Sequence, residues 1–127
     1  ATRFITAMNR TATEYEGPSL LTVKTHGKLE LLPIEEILYY QAENKYVTAH
    51  LATREELLEE SLKQLEEMLG ERVIRIHRNA LVSQNALIGM ERDRGGSHYV
   101  TLREIGRGPE ISRRHIPELR RILKEMS

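Results

Sequence analysis

The stretch VIRIHRNALVS, residues 73–83, constrains the fold more than any other part of the chain. In an extended chain Val73, Arg75 and His77 face one way while Ile74 and Ile76 face the other, so one face is core and the other cationic. This is a strand pattern, and the same pattern also describes a half-buried strand whose charges are merely solvated. Other apolar segments are equally short and punctuated by turn residues. Leu20 to Thr25, a turn at His26-Gly27-Lys28, and Leu29 to Leu32 predict a hairpin. Pro33 ends that strand, and 33–36 is a short helical or turn element. Residues 37–42 and 46–51 read as two antiparallel strands joined by Glu43-Asn44-Lys45, a polar tip that carries Lys45.

Residues 54–69 resemble one long helix, but Ser61-Leu62-Lys63-Gln64 matches a capping box, in which serine and glutamine satisfy each other's orphan amides. We therefore read Glu55 to Glu59 as a strand paired toward 46–51, and Leu62 to Leu69 as a short helix closed by Gly70. One continuous helix is the alternative. Arg78-Asn79 leaves the strand, and 80–83 is expected to pack on the core as a turn or helical stub. Ala86 to Arg92 and His98 to Arg103 predict a second hairpin across Asp93 to Ser97, with Gly95-Gly96 supplying positive φ. Gly106 to Pro109 reads as a loop, and Glu110-Ile111 as a brief strand. Ser112 is expected to cap a final helix that runs to about Lys124 with Pro117 in its first turns. Leu119, Ile122 and Leu123 form that helix's apolar stripe, with Arg120, Arg121 and Lys124 outward. The fold class is mainly β: short antiparallel sheets built from hairpins, one short internal helix and one C-terminal helix.

With 127 residues the chain has room for one core, assigned to 19–127. Residues 1–18, ending in Gly17-Pro18, read as a linker or arm, and the start at Ala1 suggests a piece of a longer protein. No apolar run approaches the ~20 residues of a membrane span and no signal-peptide pattern opens the chain, which points to the cytoplasm. There is no cysteine, hence no disulfide or thiolate chemistry.

Formal net charge is zero, yet unevenly placed. Residues 1–70 carry 7 Lys and Arg against 12 Asp and Glu, whereas 71–127 carry 12 against 7. Such asymmetry hints at an anionic partner. Eleven of the 12 basic residues in the second half are arginine, the side chain suited to bidentate phosphate and guanine contacts. Three basic groups fall in predicted loops: Lys45, Arg78-Asn79, and Arg113-Arg114-His115. If the fold brings them together they form a basic edge able to follow a phosphate backbone and reach base edges.

Metal and catalytic chemistry find little support. The five histidines, His26, His50, His77, His98 and His115, lie far apart without i, i+4 zinc spacing, and no metal or cofactor is expected. A small nuclease could use His77 as a base with Glu91 or Asp93, but no nucleophile elbow, carboxylate pair or phosphate loop accompanies it. Gly106-Arg107-Gly108 is too short for a P-loop. His77 is read as a phosphate contact, as a residue holding the Arg78 loop, or as a structural histidine. Tyr39, Tyr40, Tyr46 and Tyr99 are read as ordinary packing. The chain is not expected to be an enzyme. A protein-interaction module that docks through β edges and the acidic stretch Glu55 to Glu67 is the competing class.

Five segments in this order resemble the LytTR DNA-binding domain, in the form found in AlgR-like response regulators: 32–40, Lys45-Tyr46-Val47, 61–65, 75–82, and 111–115. The resemblance covers Leu20 to Leu123. It implies a mostly β fold that binds double-stranded promoter DNA as the output half of a two-component regulator, through loops entering two successive major grooves. Carried over by motif position, it implies base contacts from Lys45, Arg78 and Arg114. By position and setting, Arg75, His77, Asn79, Arg113 and His115 are candidates for backbone contact or loop positioning. Here Lys stands at the first tip where some members have His, and Arg-Asn follows His77 where others have Arg-Ser or Asn-Ser. Kinship further implies an N-terminal receiver absent from this chain, paired direct repeats as the target, and a dimer on DNA.

Overall fold

The computed structural model describes residues 17–127. Ten strands form three antiparallel sheets: β1 (Leu20–Thr25) with β2 (Lys28–Pro33); a five-stranded sheet of β3 (Tyr39–Glu43), β4 (Tyr46–His50), β5 (Glu55–Leu58), β6 (Val73–His77) and β7 (Ala80–Ser83); and β8 (Leu87–Arg92), β9 (His98–Leu102) and β10 (Gly106–Ile111). Among the described residues there are two α-helices, α1 (Leu62–Leu69) and α2 (Ile116–Met126).

The five-stranded sheet, in order β5-β4-β3-β7-β6, divides two cores. On one side Tyr40, Ala49 and Leu81 pack with Leu21, Val23 and Leu32 of the β1–β2 hairpin and with Leu62, Leu65 and Leu69 of α1. On the other, Ile76, Ala80 and Val82 pack with Leu87, Val100, Leu102 and Ile111 of the three-stranded sheet and Leu119 of α2. The alternating side chains of β7 feed both, so all four of its residues are buried.

Most expected elements are present. α1 begins at a capping box, with Gln64 N–H donating to Ser61 Oγ (3.1 Å) and Ser61 N–H to Gln64 Oε1 (2.8 Å). Residues 55–58 form a strand against β4, which excludes the single long helix over 54–69.

Four expectations are corrected. Residues 80–83 form a full strand rather than a turn or stub, because Arg78-Asn79 makes a two-residue reversal that returns the chain beside β6 and β3. Gly106–Ile111 is one strand rather than a loop followed by a brief strand, and its pairing with β9 shifts register between Arg107 and Glu110, where Gly108 and Pro109 sit. Of Gly95 and Gly96 only Gly96 has positive φ, at 91°. Ser112 does not cap a helix with its side chain: a 3-10 turn over Arg113–His115 intervenes and the Ser112 hydroxyl bonds the His115 ring. Of the expected 1–18 arm, residues 1–16 lie outside the described residues. The Pro18 carbonyl accepts a 2.7 Å hydrogen bond from Arg72 Nη1, which ties that end of the described chain to the body.

Candidate nucleic-acid interface

Four of the candidates, Arg75, His77, Arg78 and Asn79, come together at the end of the edge strand β6. Strict alternation fails there, because the β6–β7 register moves by one residue: Arg75 lies opposite Leu81, but His77 lies opposite Ala80. Leu81 and Ala80 belong to opposite cores, and cross-strand partners share a face. The bulge therefore separates His77 from the face of Arg75 that alternation would give both.

The turn that follows is held at three of its backbone polar groups. Arg75 Nη1 donates to the Arg78 carbonyl (2.7 Å). The Asn79 N–H donates to His77 Nδ1 (3.1 Å). The Asn79 carbonyl accepts from Ala42 N–H (2.8 Å) and Gln41 Nε2 (3.3 Å) on β3. Arg75 is fixed in turn by Glu66 of α1, through Nε (3.2 Å) and Nη2 (2.6 Å) to the two carboxylate oxygens. A forked, charge-assisted pair of this kind orients a guanidinium as well as attracting it. The Arg78 side chain is exposed, and among the described residues no hydrogen bond or ion pair engages it.

Across a shallow depression lies the segment after β10. Arg75, His77 and Arg78 line one side of it, and Ser112, Arg114 and His115 the other. The segment is anchored by the Ser112 N–H, which donates to the Ile76 carbonyl on β6 (2.9 Å). Arg113 and Arg114 are exposed, again with no side-chain partner among the described residues. His115 is half-buried, and burial, followed by the charges of Arg114 and Arg75 and then by His77, holds its pKa below the usual imidazole value. It therefore stays neutral among cations near neutral pH.

Lys45 sits at the two-residue tip of the β3–β4 hairpin, after Asn44, whose φ of 53° suits the left-handed region. It is exposed, without a side-chain partner among the described residues, in a second open surface lined by Glu43, Tyr46, Thr48 and Leu57. Because β3 runs between β4 and β7, the hairpin tip and the Arg78-Asn79 turn project from the same end of the sheet. Lys45, Arg78 and Arg114 are thus three uncommitted cations on turns that a rigid scaffold positions. Other arginines are spent: Arg103 on Glu104, Arg107 on Glu91, and Arg121 on Glu118 and Glu125.

The nuclease alternative gains no geometry. Glu91 bonds Arg107 and Thr101, and Asp93 accepts from the Ser97 N–H, while the one described bond of the His77 ring is the turn contact with Asn79. Sequence reading missed Glu66 and Gln41, which hold the Arg78 turn from other elements. A carboxylate nine residues before Arg75 carries no local signal of that pairing.

A mainly β domain that presents uncommitted cations on rigid turns offers a surface suited to an anionic partner. Residues 27–124 match the LytTr DNA-binding domain, and the chain belongs to that family. It is 39% identical over 112 residues to the positive alginate biosynthesis regulatory protein of Pseudomonas aeruginosa, covering 87% of this chain but 45% of that protein. The chain thus spans under half the length of this curated relative. A solved LytTr DNA-binding domain from Bacillus cereus superposes with a TM-score of 0.73 at 22% identity, over 84% of this chain and 98% of that one, which shows the shared fold.

Proposed function

We propose that this domain is the output half of a response regulator and reads promoter DNA through the turns at one edge of its five-stranded sheet. Lys45, Arg78 and Arg114 read base edges; Arg113 contacts phosphate; Asn79, His77 and Arg75 hold the Arg78 turn, and His115 holds the Arg114 segment. The observation that carries this reading is the contrast between fixed backbone and free side chain at Arg78. Its turn is tied by Arg75, His77 and β3, while the guanidinium has no partner among the described residues. Ordering cost is thereby met on folding instead of on binding, and arginine's fork suits guanine. The Pseudomonas relative's name, a positive regulator, supports a role in transcription, and its greater length leaves room for a receiver domain. In this reading the domain acts in the cytoplasm and two copies engage paired direct repeats.

The test is selection of random duplexes on the purified domain, then titration of the winner and a scrambled duplex at two salt concentrations. The reading predicts a paired motif about one helical turn apart, bound far more tightly than the scramble. Equal, weak binding to both duplexes would refute it and favour a protein partner.

A further inference from the structure

Two more uncommitted arginines stand at the end of the three-stranded sheet that leads into the Arg114 segment, two strands away from it on an element the base-reading turns do not include. Arg92 ends β8 and Arg94 lies in the β8–β9 turn; both are exposed, and no hydrogen bond or ion pair engages either side chain among the described residues. The register places them. Arg92 pairs with His98, and His98 pairs with Ile111, so one row crosses the three-stranded sheet and ends beside Ser112 and Arg113. Cross-strand partners share a face. Ile111 faces the core shared with β6, so Arg92 lies on the side of its sheet that looks toward β6 and the Arg114 segment.

The turn itself is rigid. The Asp93 carboxylate accepts from the Ser97 N–H (2.9 Å) and the Asp93 carbonyl from the Gly96 N–H (3.1 Å). The bond from the Ser97 N–H is the leading cause holding the Asp93 carboxyl below its usual range. Nearby acids are accounted for. Asp93 is turned into its own turn, and Glu91 is paired with Arg107 (2.9 Å). Glu110 is opposite Tyr99 on the other face of the sheet. The two arginines remain available to an anion.

We propose that Arg92 and Arg94 form a second phosphate-gripping element, which holds the DNA backbone flanking the bases read from the β6–β7 turn and the Arg114 segment. This rests on the DNA-reading function proposed above. It extends the footprint of one domain along the duplex and adds affinity without sequence preference.

The experiment compares the 127-residue chain with Arg92→Gln/Arg94→Gln, and separately with Arg78→Ala and Arg114→Ala, on the selected duplex and its scramble between 50 and 200 mM salt. The double variant should weaken binding to both duplexes by the same factor. The magnitude of its salt slope should fall by about 1.8, so its disadvantage shrinks roughly tenfold across that salt range. Arg92→Lys/Arg94→Lys should restore most of the loss, and trimming the duplex at one end should erase the difference from wild type. A double variant with unchanged affinity and slope, beside Arg78→Ala and Arg114→Ala proteins that lose specific binding, would overturn the phosphate grip alone. Wild-type behaviour in all three would overturn the DNA-reading site and this proposal with it.

Discussion

Replacing Glu66 by Gln should move specific and non-specific DNA binding in opposite directions. Glu66 is on α1, away from the exposed guanidinium of Arg78, and acts on it through Arg75. Its two oxygens take Arg75 Nε and Nη2, while Nη1 holds the Arg78 carbonyl. Glutamine keeps the shape but loses the charge that fixes the guanidinium. Hydrogen bonds to charged groups contribute about 1.5–3 kcal/mol, and partial exposure of this pair brings the expected loss to about 1 kcal/mol. Expressed as looser placement of the Arg78 turn, that is roughly fivefold weaker binding to the selected duplex. Deleting a negative charge also favours phosphate. At about 10 Å in water the Coulomb gain is about 0.4 kcal/mol before screening, less than twofold. Fluorescence anisotropy with labelled selected and scrambled duplexes reads both. The specific duplex should be bound several-fold more weakly and the scramble slightly more tightly. A parallel small gain on both duplexes would refute the positioning role of the Arg75–Glu66 pair.

Gly108→Ala should destabilise the fold by about 1–3 kcal/mol in chemical denaturation, because a Cβ there would stand 2.7 Å from Leu102 Cδ1 and 2.9 Å from Val100 Cγ2 in the core. Ser61→Ala should cost about 1 kcal/mol by leaving the Gln64 amide of the capping box unpaired, read by the same titration with DNA contacts untouched. His115, with its pKa depressed in the fold, binds protons more readily unfolded, so its share of stability is present above about pH 6.5 and is lost as pH falls through the folded value. Thermal melts at pH 7.5 and 5.5 should show a smaller acid loss for His115→Asn than for wild type. On DNA the sign reverses, since phosphates beside His115 favour its charged form, and binding should tighten on acidification more in wild type than in that variant.

Elements specified by local chemistry were legible in the sequence. The capping box separated β5 from α1 although the heptad-like run of leucines and glutamates suggested one helix, and turn residues marked the β1–β2 and β8–β9 hairpins. β7 was not legible, because four small and apolar residues have no period of their own; their extended state is set by pairing on both sides, with β3 and β6. Gly106 to Pro109 looked irregular for the same reason, its strand conformation coming from β9 despite an unfavourable composition. At the site, alternation placed Arg75 in an exposed-facing pattern but could not show the bulge that parts it from His77, nor that Glu66 would claim it. Charge asymmetry indicated an anionic partner; the difference between paired arginines and free ones appears only with tertiary contacts.

If Lys45, Arg78 and Arg114 read bases, a matrix of single alanine variants against single base-pair changes in the selected duplex will show it. Each variant should lose about 1–3 kcal/mol on the intact duplex and become indifferent to changes at one position while keeping discrimination at the others. Variants that weaken binding uniformly across all base changes would assign the three side chains to phosphate contact and refute base reading.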